Sequence, residues 1–196
     1  MKEKIKMVIF VVILGTVCTF SLVAINGYTA PIVEKNKEIK IKKSLLEAYG
    51  ISYEKGNKEN IEKIFMENVT VSGNEGKKIY INKDKETAFE FAGSGLWGPI
   101  TGVISFMPDL ETIKNIVIIH QEETPGLGGR IGEKAYLDKF KDKKFLPDIK
   151  IVPPGKAQKE NEIDGITGAT MTVKAFEKLV NKQVEMYRNS LKSKKN

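Results

Sequence analysis

The stretch 164–187, DGITGATMTVKAFEKLVNKQVEMY, decides how the chain is read. Its second part carries Val173, Phe176, Leu179, Val180, Val184 and Tyr187 at helical spacing, the apolar face of an amphipathic helix. Its first part, Asp164-Gly165-Ile166-Thr167-Gly168-Ala169-Thr170-Met171-Thr172, is a turn running into that helix. Two readings stand side by side. Thr167 or Thr170 caps the helix start with its hydroxyl. Alternatively the helix N-terminus, with its free N–H groups and partial positive charge, faces a phosphate, which a hydroxyl there can carry covalently.

Upstream of this helix the chain turns strand-like. Thr87–Ala92 alternates, and Ile100–Met107 and Lys114–Ile119 are rich in β-branched residues. Short strands are expected at Val69–Val71 and Lys78–Asn82, on either side of the turn signal Ser72-Gly73-Asn74-Glu75-Gly76. A short helix is expected over Asn60–Met66, after the loop-like 50–60. An earlier helix is expected over 31–49, with Ile39, Leu45 and Leu46 on its apolar side. Strands fill the middle and helices the ends, which predicts an α+β domain with a mostly antiparallel sheet and flanking helices.

Further out, Met7–Ile25 reads MVIFVVILGTVCTFSLVAI, nineteen residues without a charge. At 1.5 Å per residue this nearly matches a hydrocarbon core of about 30 Å. The run is too long for the apolar region of a signal peptide, and the small-residue exit Tyr28-Thr29-Ala30 is followed by Pro31. Cys18 follows Val17 rather than a small residue and reads as one more apolar position in the span. Lys2, Lys4 and Lys6 predict a cytoplasmic N-terminus and a body outside the cytoplasmic membrane. Lysines 35, 37, 40, 42 and 43 oppose that orientation, and Glu34 and Glu38 dilute them in part. The expected organisation is a cytoplasmic start and transmembrane helix over 1–28, a helical connector over 29–68, a domain over 69–187 and a basic tail over 188–196.

The chain has 196 residues, 41% of them hydrophobic and 29% charged, a balance that argues against disorder. One Cys and one His exclude an internal disulfide, a zinc cluster and a haem-attachment pair. A catalytic triad would have to use His120, and no Ser–His–Asp pattern surrounds it. The net charge of +7 sits mainly in the termini: residues 1–6 carry +2 and 187–196 carry +4. The body between them is nearly balanced and offers no evident basic face, so nucleic-acid binding is not expected.

Two glycine-rich segments remain. Gly93-Ser94-Gly95-Leu96-Trp97-Gly98 has the G-x-G-x-x-G spacing, but Pro99 follows and the next segment is extended. A dinucleotide fingerprint must open a helix, so that reading fails. Trp97, the only tryptophan, is either a core anchor or a flat face against an aromatic ligand. Glu123-Thr124-Pro125-Gly126-Leu127-Gly128-Gly129-Arg130 is either a hairpin loop or a site of close backbone approach to a ligand.

Taken together, these segments resemble a family of membrane flavoproteins with a covalent FMN. Asp164–Thr172 resembles its flavinylation motif D-[GA]-x-[ST]-G-A-[TS]-x-T. Gly95–Ile100 and Glu123–Gly128 match two further family segments in the same order. Within the family the chain is most similar to the G-type subunit of the Rnf ion-translocating ferredoxin:NAD oxidoreductase. The C-type subunit of the sodium-pumping NADH:quinone reductase is a relative that is usually longer. The resemblance implies FMN joined through its phosphate to Thr170, by a separate FAD:protein FMN transferase that uses FAD and magnesium. It implies that Asp164, Gly168 and Ala169 are read by that enzyme or shape its turn, and that Thr167 stands where serine is commoner. It places Glu123, Thr124, Gly126, Leu127 and Gly128 in the loop bordering the flavin, with Trp97 beside it. It implies no catalytic acid or base and no metal ligand on this chain. The function implied is electron relay between partner subunits of a membrane complex. The alternatives are a stand-alone extracytoplasmic flavoprotein, the equivalent subunit of the sodium-pumping enzyme, and an anchored scaffold without cofactor.

Overall fold

The computed structural model describes residues 2–73 and 78–193, with side chains characterised through residue 189. Part of the expected turn, residues 74–76, and the end of the basic tail, residues 194–196, lie outside the described residues.

Helix α1, Lys2–Tyr49, is a single element of 48 residues that runs through Pro31. The expected span and the expected helix after it are therefore continuous. Proline removes one backbone donor and strains one turn, and a helix this long carries that loss without ending. The chain divides into two compact units, the first ending at Ile39 and the second starting at Lys40. In the first unit the apolar run stays exposed, from Met7 at 62% to Ile25 at 62%. This helix is long and apolar enough to cross a membrane.

The second unit begins with the last turns of α1. They end in a Schellman motif: Gly50 at φ +73° donates to the Glu47 carbonyl, and Ile51 to the Leu46 carbonyl. Two side chains from the sheet also donate to carbonyls of that turn. Ser105 Oγ donates to Ala48 O at 2.8 Å, and Asn115 Nδ2 donates to Glu47 O at 3.2 Å. Helix α2, Lys58–Asn68, is capped by Asn57, whose side chain accepts from the Asn60 N–H at 3.0 Å. It is longer than the Asn60–Met66 expected, because capping begins before the first apolar residue.

Five strands follow: β1 Val69–Ser72, β2 Ile79–Asn82, β3 Thr87–Ser94, β4 Pro99–Phe106 and β5 Ile113–His120. They pair in sequence order and antiparallel throughout, as a meander. A chain of short turns then runs through a 3₁₀ segment at Gly128–Gly132, helix α3 at Lys134–Leu137 and a second 3₁₀ turn at Asp138–Phe140. Strands β6 Lys150–Val152 and β7 Glu162–Asp164 form a small parallel pair, and α4, Thr170–Ser193, closes the domain.

The α+β expectation holds, and the core lies between α4, β3 to β5 and the short helical turns. Phe176 of α4 meets Phe91 of β3 at 6.0 Å and Phe140 at 5.9 Å between ring centroids. Tyr187 stacks on Phe89 at 4.0 Å. Phe91, Phe140, Phe176, Ile100, Ile104 and Ile131 are almost fully buried, each worth roughly 1.5–3 kcal/mol against exposure. The β3–β4 loop, the segment after β5 and the start of α4 converge on one side chain, that of Glu123.

Candidate functional site

The site is organised around the buried carboxylate of Glu123, which is 4% exposed. One of its oxygens, Oε1, accepts the backbone N–H groups of Leu96 at 2.7 Å and Trp97 at 3.1 Å. The other, Oε2, accepts the hydroxyl of Thr172 at 2.7 Å. Three segments far apart in sequence thus meet at a single side chain. Burying a carboxylate is costly unless its lone pairs are used, and here backbone and hydroxyl donors use them. The position beside the first turn of α4 also sets the negative charge against the positive end of the helix.

Each contributing segment is shaped to allow this approach. The turn after β3 is closed by the Gly95 N–H donating to Gly98 O at 2.8 Å. A β-carbon at Gly128 would lie 2.5 Å from Thr172 Oγ1 and 3.1 Å from Glu123 Oε2, so the carboxylate pocket needs glycine there. The loop after β5 winds around the Thr124 carbonyl, which accepts from Leu127 N at 3.2 Å and Gly129 N at 2.9 Å. The Gln121 side chain accepts the Glu123 N–H at 2.6 Å and steadies the entry to that loop.

Among the described residues no side chain caps the start of helix α4. Its first helical bond runs from Val173 N to Ala169 O at 3.0 Å, which places Ala169 at the cap position, where it has no oxygen to offer. The N–H groups of Thr170, Met171 and Thr172 therefore have no intrahelical acceptor. The capping alternative fails for Thr170, which is the first helical residue rather than the cap.

The three motif hydroxyls differ sharply. Thr167 and Thr170 are exposed, whereas Thr172 is 3% exposed and bonded to Glu123. Gly168, at φ +80°, supplies the left-handed turn between the two exposed threonines, and a β-carbon there would stand 3.2 Å from the Leu127 side chain. Leu127 thus lies directly over the motif.

Trp97 is 73% exposed, which rules out the core-anchor reading. With Leu96 it borders an open cleft of about 490 Å³ formed by the β3–β4 hairpin. Leu127 and Met171 are likewise exposed apolar side chains on the neighbouring segments. Thr124 and Gly126 lie on the exposed outside of the loop, while Gly128 is buried.

Asp164 points elsewhere. Its Oδ1 accepts the N–H groups of Lys156 at 2.9 Å and Ala157 at 3.1 Å, closing the crossover between β6 and β7. The Ala157 bond above all, opposed by desolvation and helped by the Lys156 bond, holds its carboxyl below the usual carboxylate range. Its contribution to the motif is to fix the strand from which the turn departs. His120 pairs with Glu122 at 3.1 Å on the exposed rim and has no nucleophile beside it in the described contacts. Among the described residues no cluster of His, Cys, Asp or Glu is arranged to hold a metal. The structural roles of Thr172 and Gln121 were not legible in the sequence. Thr172 read only as a third hydroxyl of the motif, and its partner comes from a distant loop.

Comparison with known proteins bears on the same segments. A sequence model of the FMN-binding domain family matches residues 95–185, which span all three segments joined by Glu123. The C-type subunit of the Na(+)-translocating NADH-quinone reductase of Haemophilus ducreyi is 31% identical over 110 residues, covering 51% of this chain and 43% of that protein. The same protein from Neisseria meningitidis is 34% identical over 90 residues, covering 43% of this chain and 35% of that protein. The matched stretch thus spans less than half the length of these curated relatives. The crystal structure of Shewanella oneidensis NqrC superposes with a TM-score of 0.68 at 20% identity, over 82% of this chain and 99% of that one. Residues 95–185 of the chain thus match the FMN-binding domain family, within a fold shared with solved NqrC.

Proposed function

We propose that the chain is a membrane-anchored electron-transfer subunit that carries FMN as a phosphoester on Thr170. The observation that carries this reading is the exposed Thr170 hydroxyl at the uncapped first turn of α4, beside exposed apolar side chains. The residues present fit the group. Free N–H groups and the helix dipole suit the phosphate, and Leu127 and Trp97 offer apolar surface to aromatic rings. Bound FMN supplies the redox chemistry, by which electrons pass between partner subunits. The chain's own residues anchor, orient and partly desolvate it. The hydroxyl of Thr170 provides the ester oxygen, Gly168 gives the turn its left-handed step, and the 123–128 loop forms one wall.

The assembly proposed is the Rnf ion-translocating ferredoxin:NAD oxidoreductase, with this chain in the place of its G-type subunit. An FAD:protein FMN transferase attaches the flavin. In this reading 1–28 is the cytoplasmic start and span, 29–68 the connector, 69–187 the flavin domain and 188–196 a basic tail, with the domain extracytoplasmic. Lys2, Lys4 and Lys6 support that orientation. A second reading, the equivalent subunit of a sodium-pumping NADH:quinone reductase, is favoured by the names of the curated relatives.

Co-expression with and without the transferase, followed by ultraviolet viewing of a denaturing gel, tests the attachment. A fluorescent band is expected only with the transferase, and a dark band with it present contradicts the reading. Purification from the native membrane separates the two assemblies. Ferredoxin:NAD activity in the co-purified complex supports the first, and NADH:quinone activity supports the second. Recovery with no other integral subunit points instead to a stand-alone flavoprotein.

A further inference from the structure

We propose that Glu123 is the positioning residue of the tethering site. Through Oε1 it fixes the backbone of Leu96 and Trp97, and through Oε2 it withdraws Thr172 from competition, so that the start of α4 presents Thr170. The proposal rests on the covalent-FMN reading above and adds a role for a residue outside the 164–172 motif, one bonded to Leu96, Trp97 and Thr172.

Thr170 and Thr172 lie two positions apart at the same helix start, beside the same free N–H groups, so chemistry alone does not distinguish them. Their surroundings do. The Thr172 hydroxyl is buried and donates to a carboxylate at 2.7 Å, and a hydrogen bond to a charged acceptor is among the stronger ones. Using that hydroxyl as an acceptor of phosphate would require breaking the bond and exposing a buried carboxylate oxygen. Thr170 has no such restraint and faces solvent. The same carboxylate holds the Leu96–Trp97 backbone at two N–H groups, so the cleft rim and the helix start keep a fixed spacing. Preorganisation of this kind raises the rate of an attachment reaction without contact with the reacting atoms.

In the attachment step the Thr170 Oγ–P bond forms and the pyrophosphate P–O bond of the flavin dinucleotide breaks. The leaving group is AMP, and the hydroxyl proton passes to a base of the transferase. No electron is gained or lost.

The experiment uses the full chain in detergent with purified transferase and FAD, in the wild type, Glu123→Ala, Glu123→Gln and Thr172→Val. The initial rate of flavin incorporation is measured, with peptide mapping of the attachment site. Anisotropy of Trp97, the only tryptophan, is recorded before labelling. Glu123→Ala is expected to slow labelling about tenfold or more, the scale of a lost charge-assisted bond, and to lower the Trp97 anisotropy. Glu123→Gln keeps an acceptor for the two N–H groups and a polar partner for Thr172, and is expected to restore most of both. Wild-type labelling with an unchanged rate and anisotropy in Glu123→Ala overturns the proposal while leaving the tether intact. Absence of label in the wild type overturns the tether itself. If Glu123→Ala does not fold, Thr172→Val decides, since it removes the helix-side bond alone. A several-fold slower rate there supports the proposal, and a wild-type rate overturns it.

Discussion

The Thr172 hydroxyl donates to the Glu123 carboxylate at 2.7 Å, joining residues 49 positions apart across the site. This bond divides the motif into a buried threonine that holds the fold and an exposed one, Thr170, left for chemistry.

Gly128→Ala is expected to destabilise the domain by about 1–3 kcal/mol, the range for an overpacked site. Its β-carbon would meet Thr172 Oγ1 at 2.5 Å, and both that oxygen and Glu123 are buried and bonded. Urea unfolding of the unlabelled protein measures the loss. An unchanged midpoint would show that the two side chains shift aside freely.

Gly168→Ala and Gly126→Ala separate strain from crowding. Both residues have positive φ, +80° and +74°, so each substitution is expected to cost about 1–2 kcal/mol of backbone strain. Gly126 faces open space, whereas at Gly168 the new methyl would also press on Leu127 at 3.2 Å. The Gly168 variant is therefore expected to be the less stable in thermal melts, and to label more slowly as well.

Phe176→Ala removes the ring shared by Phe91 and Phe140 and is expected to cost about 3–5 kcal/mol. Equilibrium unfolding checks it. A loss below about 1 kcal/mol would mean that α4 does not close the core as described.

Asp164→Asn bears on pH dependence. Hydrogen bonds from the Ala157 and Lys156 N–H groups lower the folded carboxyl below its ordinary 3.8. A depressed carboxyl contributes stability that is fully present above the ordinary value and is lost as pH falls through the folded one. The wild type is expected to be the more stable at pH 7, with the gap to the variant closing as pH drops below 3.8. Urea midpoints across that range measure the gap, and one that widens on acidification contradicts the assignment.

Much of this arrangement was legible in the sequence, for identifiable reasons. The apolar run of α1 and the 3.6-residue period of α4 are local patterns that form as read, and β3 forms as a strand although Thr87, Ala88 and Phe89 are all buried. The site segments were legible as motifs. Their connection was not. Glu123 binds Leu96, Trp97 and Thr172, partners 26 to 49 residues away, and nothing local marks a loop carboxylate as buried. Strands β6 and β7 are three residues each, too short for a period to register. The resemblance implies that Asp164 is read by the transferase or shapes the turn. That its side chain faces the Lys156–Ala157 backbone depends on the pairing of its strand with β6, which no local pattern shows. Base rates favour a core position for the single tryptophan, and the turn between β3 and β4 leaves Trp97 outside instead.

The most direct test of the account is intact mass and peptide mapping of the chain purified from its native membrane. The predicted result is an increase equal to FMN less one water, confined to the peptide bearing Thr170, and lost in Thr170→Ala while Thr167→Ala and Thr172→Ala keep some. An unmodified mass, or an increase mapped to Thr167 or Thr172, would contradict it.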